Sequence, residues 1–441
     1  MPQRPSDFKQ LTTASLDTME LSAETFVRSY PEFLDRANFA RAAVTGVQFL
    51  VVAAIAWRVA MSYLLRPFHA APLDDFERQA GAFHAARVGY SVCYLISIPL
   101  VIAWLFTFVP GYAPYRGSNF DRPYLVLAFL GWGLAALAAG GVFDRLRMGR
   151  APTLIEAWHG FAFSVVLDPF LFLGLPLLAA VSDRLDGPTF TAMTVAALLF
   201  LALQRGLGHA LLRLYGTIRP VNGPRAAIAR QVADEAGLPD LSVWLVRAGG
   251  VNAYSMPGRR IYVSEQLATS LDDVQFTALL RHEAAHAREA WYHKLVRHLP
   301  PAMMLVLNAG PAFVGELGLE RFLFVIAAFA FIYARVTNHS RRLEKQADEY
   351  ARAFDPPAYD SMLQALHRAA MIPSNTNQRR GTHPDLADRL TPETAAQITP
   401  DAATTSANKQ ARSRAYLGVV LYIACFLTGL AISEILIAKL E

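Results

Sequence analysis

Two histidines four residues apart carry the clearest chemical signal in this 441-residue sequence. His282 and His286 enclose Glu283 in the pattern His-Glu-x-x-His. Positions i and i+4 share one face of a helix, so both imidazoles can bind the same cation. Zn²⁺ accepts two nitrogens, one protein oxygen and a water, and it lowers the pKa of that water. The spacing therefore predicts a zinc site at which Glu283 serves as general base.

A second motif supplies the missing oxygen ligand. Glu344 and Asp348 are also four residues apart, in the run Arg341–Asp348. Taken alone, this pair indicates an ordinary solvated helix face. Together with the two histidines it predicts Glu344 as the third ligand of one Zn²⁺ per chain. Asp348 then hydrogen-bonds a ligand imidazole from one helical turn away.

The elements around these motifs have the composition of a small mixed domain. A long helix that begins near Ser270, with Asp273 completing a capping box, positions the two histidines. Two segments have strand-like composition and are separated by glycine- and proline-rich turns. The predicted elements are a helix over Gly223–Gly237, strands over Ser242–Val246 and Arg260–Val263, and helices over Asn338–Asp355 and Tyr359–Met371.

Most of the remaining chain has the composition of a membrane protein. Hydrophobic residues make up 54% of the sequence and charged residues 17%, which argues against a disordered chain or an ordinary soluble enzyme. Apolar runs near the roughly 20 residues of a membrane span recur along the chain. They are Ala42–Leu65, Val88–Val109, Tyr124–Phe143, Gly160–Val181, Phe190–Leu203 and Tyr416–Ala438. Asp168, inside the fourth run, is interpreted as facing other helices or a water-filled cavity.

The run Pro300–Val336 is apolar but interrupted, which favours two short helices or a re-entrant hairpin. The fold class is thus a mainly α, polytopic membrane protein with about seven to eight transmembrane helices and a small α+β domain. The predicted organisation is a polar tail (1–38), a five-helix membrane region (39–206), a first domain part (207–299), the hairpin (300–336), a second domain part (337–412) and a last membrane helix (413–441).

The net charge and the cysteine content argue against some classes of partner and of covalent cross-link. A net charge of +5, spread over loops, suits membrane-flanking positions and argues against a nucleic-acid partner. Two cysteines in apolar runs offer no disulfide framework. More arginines fall on the side of the mixed domain than on the opposite side. The positive-inside rule therefore predicts that this domain lies in the cytoplasm.

Three motifs in this order resemble the membrane zinc peptidases, the family of the CAAX prenyl proteases and HtpX-type heat-shock proteases. They are His282–His286, Asn338-x-Ser340-Arg341-x-x-Glu344-x-x-Ala347-Asp348, and Thr382-His383-Pro384-x-x-x-x-Arg389. The resemblance covers about 241–390 and implies a gluzincin-type zinc peptidase domain. It implies that His282, His286 and Glu344 bind zinc, that Glu283 is the general base, and that Asp348 orients a ligand histidine. His383 would donate to the oxyanion, and Arg389 would support the site.

The resemblance also implies a place for a peptide substrate. Asn252, Ala253 and Tyr254 are similar to the segment that these proteins place before the metal helix. An edge strand at Ile261, Tyr262 and Val263 would pair with an extended peptide. Tyr254 and Tyr262 also fit an ordinary strand core. The implied activity is cleavage of membrane-associated or misfolded polypeptides by metal-activated water, in an integral-membrane metalloendopeptidase.

Alternatives remain open at this stage. Five spans before the metal helix resemble the prenyl proteases, but Ala284-Ala285 stands where those usually carry Leu-Gly, so prenyl-peptide processing is not carried over. A catalytically silent membrane receptor or regulator with a structural metal is the main alternative, and a transporter is a weaker one. His293 and His339 are interpreted as polar packing and helix-start residues. The sequence leaves the oligomeric state open.

Overall fold

The protein is mainly helical with one small sheet, in a computed structural model that describes residues 36–108, 122–151, 153–167, 185–247, 250–290, 292–293, 296, 299, 303, 310–374, 386–398 and 400–440. The membrane-side helices are α1 (Arg36–Leu64), α2 (Arg66–Ala70), α3 (Phe76–Phe108), α4 (Arg122–Met148), α5 (Leu154–Leu167), α6 (Gly187–Ala202) and α7 (Gly208–Leu214). The mixed domain contains β1 (Ile218–Pro220), α8 (Pro224–Glu235), β2 (Ser242–Val246), β3 (Ala253–Met256), β4 (Arg260–Ser264), α9 (Glu265–Ser270) and α10 (Asp273–Arg288). There follow α11 (Gly310–Leu317), α12 (Leu319–Arg352), α13 (Pro356–Ala370), α14 (Leu386–Arg389), α15 (Pro392–Ile398) and α16 (Ala402–Leu440).

Within the described residues, five helices are long and apolar enough to cross a membrane. They are Ala42–Ala70, Leu127–Met148, Gly187–Leu214, Glu320–Arg352 and Ala402–Ile437. This finding indicates membrane association, while the expected count of seven to eight spans is not confirmed. Helices α1, α3, α4 and α16 share one apolar core, in which Trp57 stacks between Tyr90 and Tyr422. The last helix of the chain therefore packs into the first bundle.

Two predicted spans differ in extent from the structure. The fourth, Gly160–Val181, begins within α5, but its second half, including Asp168, lies outside the described residues. The fifth, Phe190–Leu203, does not end there, because a π turn at Leu203–Leu207 joins α6 to α7 and carries the helix to Leu214. This longer helix ends directly before β1, so the membrane region leads straight into the sheet.

The prediction of a separate polar helix over Asn338–Asp355 is wrong, whereas two helices do meet within Pro300–Val336. Gly318, with φ of +81°, ends α11, and from Leu319 one helix of 34 residues runs to Arg352. Neither glycine nor proline occurs in that stretch, so the change from apolar to polar residues alters the helix surface without breaking the backbone. The expected boundary between the membrane hairpin (300–336) and the second domain part (337–412) therefore lies inside a single helix, which also carries Glu344.

The last predicted span also extends further than expected. In place of a helix over Tyr416–Ala438, α16 begins at Ala402 and continues to Leu440. Its polar first part packs beside α3, where the Asn408 amide donates to the backbone carbonyl of Glu77. Nearby, Glu77 accepts hydrogen bonds from the backbone and hydroxyl of Ser374, both 3.0 Å long. The bundle thus contacts the mixed domain directly.

The sheet has the strand order β1-β2-β4-β3. β2 and β4 are parallel, whereas β1 and β3 pair antiparallel with β2 and β4. The prediction that Ile261, Tyr262 and Val263 form an edge strand is therefore wrong, because β4 is hydrogen-bonded on both sides. The short strand β3 was not expected from the sequence; its four residues follow a loop and lead into the turn at Pro257-Gly258. β3 is the strand at that edge of the sheet.

The two faces of the sheet pack against different parts of the chain. Ile261 and Val263 are fully buried against α10 and its neighbours. Tyr262 points to the opposite face, where its hydroxyl lies 2.8 Å from His209 Nδ1 and its ring contacts Phe163. Tyr254 lies directly across from Tyr262 and also contacts Phe163. Both tyrosines therefore form core with the membrane-side helices, on the side of the sheet away from α10.

The N-cap of helix α10 lies two residues later than predicted, at Asp272 in place of Ser270. Ser270 ends the short helix α9, Leu271 is extended, and Asp272 caps α10. Asp272 accepts from the backbone of Gln275, whose side chain in turn accepts from the backbone of Asp272, so the capping box uses this pair in place of Ser270 and Asp273. The cap fixes the start of the helix, and about three and four turns later the two histidines face the domain interior.

Candidate metal centre

The side chains of His282, His286 and Glu344 converge at the contact between α10 and α12. One ligand atom from each lies within 4.8 Å of the other two, and all three residues are buried. His282 Nε2 is 3.7 Å from one Glu344 oxygen, and His286 Nε2 is 3.3 Å from the other. The two imidazole rings are nearly perpendicular, with centroids 4.8 Å apart. The two Nε2 atoms thus face the same carboxylate.

The opposite nitrogen of each ring lies beside its own carboxylate. His282 Nδ1 lies 3.2 Å from Asp348 Oδ1, and His286 Nδ1 lies 2.6 Å from Glu289 Oε1. A carboxylate accepts a proton from Nδ1, which leaves the lone pair on Nε2 for a cation. Both rings are therefore held in the tautomer and orientation that metal ligation through Nε2 requires.

A buried ion pair fixes Asp348 in turn. Arg389 donates from Nε to Asp348 Oδ2 at 2.9 Å and from Nη2 to Oδ1 at 2.6 Å, and both side chains are only 6% exposed. Two parallel bonds from one guanidinium define the plane of the carboxylate. The short helix α14 thereby contributes to the orientation of His282, although it contacts neither histidine in the described residues.

Tyr359 links the members of this network. Its hydroxyl donates to Asp348, accepts from Arg389 Nη2 at 3.2 Å and lies 3.3 Å from His282 Nδ1. Tyr359 is fully buried, and burial raises the pKa of its phenol, which therefore stays protonated as a donor. The guanidinium of Arg352 lies 5.3 Å above the Tyr359 ring. Helix α13 thus places a neutral donor between the imidazole and the buried ion pair.

The electrostatics of His286 favour a positive charge at the centre. Burial alone lowers the pKa of His286, but hydrogen bonds with Glu289 and Glu344, together with the charges of Glu344 and Glu283, raise it to about 9. Three carboxylates thus surround one imidazole. A site that stabilises an imidazolium in this way also stabilises a divalent cation, provided that the cation displaces the proton.

Glu283 is buried beside the first histidine, and within the described residues no hydrogen bond or ion pair commits its carboxylate. It follows His282 directly and therefore projects from the next face of α10, next to the converging nitrogens. A carboxylate in this position can exchange a proton with a water at the centre without binding the cation itself.

The structure brings together only some of the residues singled out from the sequence. His282, Glu283, His286, Glu344, Asp348 and Arg389 lie around one centre. His383 lies outside the described residues, so its role stays a prediction. Asn252 is exposed and precedes β3, and Ala253 packs toward the α10 side of the sheet. The side chains of Tyr254, Ile261, Tyr262 and Val263 are engaged in the two cores described above.

Two residues of the centre were missed in the sequence analysis. Glu289 lies three positions after His286, a spacing that places it on the same helix face, and this signal was available. Tyr359 lies on a separate helix, and nothing in its local sequence distinguishes it from a core tyrosine. Only the packing of α13 against α10 and α12 reveals its contact with His282.

The donor set fits zinc. Two imidazole nitrogens and one carboxylate match the three protein ligands of catalytic zinc sites, in which water completes the coordination. Asp348 and Glu289, the carboxylates beside the Nδ1 atoms of His282 and His286, match the hydrogen-bond partners that metal-binding imidazoles usually have. Among the described residues, no other group of three His, Cys, Asp or Glu side chains is as closely spaced.

Comparison with known proteins agrees with this geometry. The model of Peptidase family M48 matches residues 221–393, which include β4, α10 and α12 and every described residue of the centre. No curated protein matches the chain.

Proposed function

We propose that the chain is an integral-membrane zinc endopeptidase that cleaves membrane-associated or misfolded polypeptides. Residues 221–393 match the model of Peptidase family M48, the zinc metallopeptidases of the CAAX prenyl protease and HtpX type, and this match supports the proposal. The observation that carries this proposal is the convergence of His282, His286 and Glu344 at the helix α10, which also carries the buried carboxylate of Glu283. A metal with a purely structural role would need no such adjacent base.

In the proposed mechanism, His282, His286 and Glu344 hold the zinc. When bound, the zinc supplies a Lewis acid that polarises a peptide carbonyl and acidifies water. Glu283 removes a proton from the attacking water and later delivers it to the leaving amine nitrogen. Asp348 and Glu289 keep both imidazoles oriented throughout, and Arg389 keeps Asp348 charged and in place. His383 is proposed to donate a hydrogen bond to the developing oxyanion.

The substrate is proposed to bind as an extended strand along β3. Since β4 is paired on both sides, the outer edge of β3 is the position from which backbone groups of Ala253–Met256 can bond a peptide. Asn252 lies at the start of this edge. A peptide bound there would lie beside β3, which contacts the helix α10 that carries Glu283.

The continuity of α12 supports a substrate close to the membrane. The apolar part of this helix ends near Val336, and Glu344 follows eight residues later on the same helix. At 1.5 Å per residue, the ligand lies only about 12 Å beyond the apolar stretch. A peptidase centre so near the bilayer favours substrates that are themselves in or at the membrane. We propose that this domain faces the cytoplasm, in line with the arginine distribution.

Substitution of the base tests the proposal. Glu283→Gln in detergent or proteoliposomes should retain zinc and abolish cleavage of an unfolded protein such as casein, because the amide cannot accept the proton. Glu235→Gln is the matched control, since Glu235 pairs with Arg281 on the outer side of α10, at 2.8 Å. The control should cleave at nearly the wild-type rate, and a chelator should stop the wild type. Wild-type turnover by Glu283→Gln would overturn the mechanism.

A further inference from the structure

Two histidines that the sequence treats as unrelated meet beside the metal centre. His293 follows the end of α10, and His339 lies in α12, 46 residues later. His293 Nδ1 and His339 Nε2 are 2.8 Å apart, and the two rings are stacked with an angle of 29° between their planes. Both residues are half-buried. This pair is separate from the three converging ligands and has no part in the proposed mechanism.

A cavity of about 330 Å³ lies next to this pair, between α10 and α12. His293 forms part of its wall. The oppositely charged Arg288 and Glu289, the amide of Gln346 and the aromatic ring of Tyr350 also line it. The cavity is large enough to hold several water molecules. Arg288 stacks on Tyr350 with its guanidinium 5.1 Å from the ring centre, which directs that positive charge to the wall of the cavity.

We propose that His293 and His339 form a second binding site for a divalent transition-metal ion. Zinc–nitrogen bonds of 2.0–2.1 Å at a tetrahedral angle place two ligand nitrogens about 3.4 Å apart. The observed separation of 2.8 Å needs to widen by only about 0.6 Å, which small ring rotations provide. The same two nitrogens that now share a hydrogen bond would then each donate a lone pair.

The expected coordination is two imidazoles completed by water. Among the described residues, no third His, Cys, Asp or Glu lies close enough to both rings to complete a three-residue site. The adjoining cavity supplies room for water ligands and a route for exchange. Imidazole nitrogen selects Zn²⁺, Ni²⁺ or Cu²⁺ over Mg²⁺ or Ca²⁺. The second ion therefore binds more weakly than the first and exchanges with the free metal pool.

This position gives the second ion a mechanical role. His293 lies on the chain that leaves α10, and His339 lies on the helix that carries Glu344, so a shared ion links the two supports of the first centre. Glu289 lines the same cavity and also holds His286. Occupancy of the second site is thus expected to stabilise the α10–α12 contact when free zinc is high.

Metal counting tests this inference. Full-length protein with a histidine-free tag is dialysed against increasing free Zn²⁺, and bound zinc per chain is measured by mass spectrometry. The wild type should bind two equivalents, one tight and one weak. His293→Gln and His339→Gln, which keep a hydrogen-bonding side chain, should each lose the weak equivalent and retain the tight one. His69→Gln, at an exposed histidine on α2, is the matched control and should retain both.

A fourth variant makes the result independent of the proposed peptidase function. Glu344→Gln removes one ligand of the first centre, and it should lose tight binding while the weak equivalent persists. A wild type that binds a single equivalent, or histidine variants that both retain the weak one, would overturn the second site. Neither result depends on peptide cleavage, so a failed Glu283→Gln test and a failed second site can be told apart.

Discussion

Removal of the Arg389 guanidinium should destabilise the metal centre strongly. In Arg389→Met, the Asp348 carboxylate loses two hydrogen bonds, of 2.9 and 2.6 Å, while its side chain stays only 6% exposed. Breaking a buried ion pair from one side typically costs about 3–5 kcal/mol, because the remaining buried charge loses its counter-ion. Methionine fills a similar volume, so little of the effect comes from a cavity.

Hydrogen–deuterium exchange measures this loss locally. Since every 1.4 kcal/mol corresponds to a factor of ten, amides of α10 and α13 in Arg389→Met should exchange about 100- to 4000-fold faster at saturating zinc. A local method is preferable because the bundle and the mixed domain need not unfold together. Zinc affinity should fall as well, because a freed Asp348 no longer fixes His282.

An exposed ion pair provides the matched control. Arg219 bonds Glu265 at 2.7 Å, but the two side chains are 48% and 34% exposed. Arg219→Met should therefore change stability by about 0–1 kcal/mol. Combining Arg389→Met with Asp348→Asn should cost at least about 2 kcal/mol less than the sum of the single changes. Additive effects, or exchange in Arg389→Met within fivefold of the wild type, would refute the assignment.

Three further predictions concern the partners of the two imidazoles. Tyr359→Phe should weaken zinc binding by about 10- to 100-fold, measured by chelator competition, with cleavage recovered at saturating zinc; unchanged affinity would contradict the contact with His282. Glu289→Gln should weaken zinc binding to a similar extent, because a neutral amide no longer supports the His286 imidazole, and equal affinity of variant and wild type would count against this role. Because zinc must displace a proton from His286, whose pKa is raised to about 9, apparent affinity should fall up to about tenfold for each pH unit from 8.5 to 6.5. Isothermal titration in buffers of different ionisation enthalpy should detect the released proton, and a pH-independent affinity would show that His286 is already neutral.

Local patterns predicted which side chains lie together, because residues at helical spacing share one face of the helix. The pairs His282–His286 and Glu344–Asp348 each lie on one helix, so sequence spacing alone placed their members together. The two strands at Ser242–Val246 and near Arg260–Val263 were also identified from their composition. The prediction failed where a change from apolar to polar residues, at 336/337, was interpreted as the end of a helix. A helix can continue through such a change, as α12 does.

The order of the strands in the sheet could not be predicted from the sequence. β3 is four residues long, and its presence moves the exposed edge from β4 to Ala253–Met256. The residue types of β4 are consistent with an edge strand or an inner strand. A strand that is buried on both faces has the same composition in either position of the sheet. The strand order is also needed to see that Tyr254 and Tyr262 face the membrane-side helices.

The sequence by itself determined that His282 and His286 share one helix face and that Glu344 and Asp348 share another, because each pair depends on contacts within about one helical turn. Only the tertiary structure decided which groups from other helices surround the ligands. Tyr359 and Arg389 reach the centre from α13 and α14, and the His293–His339 pair joins two elements 46 residues apart. Such contacts depend on how helices pack, and packing is set by the whole core and not by any local spacing.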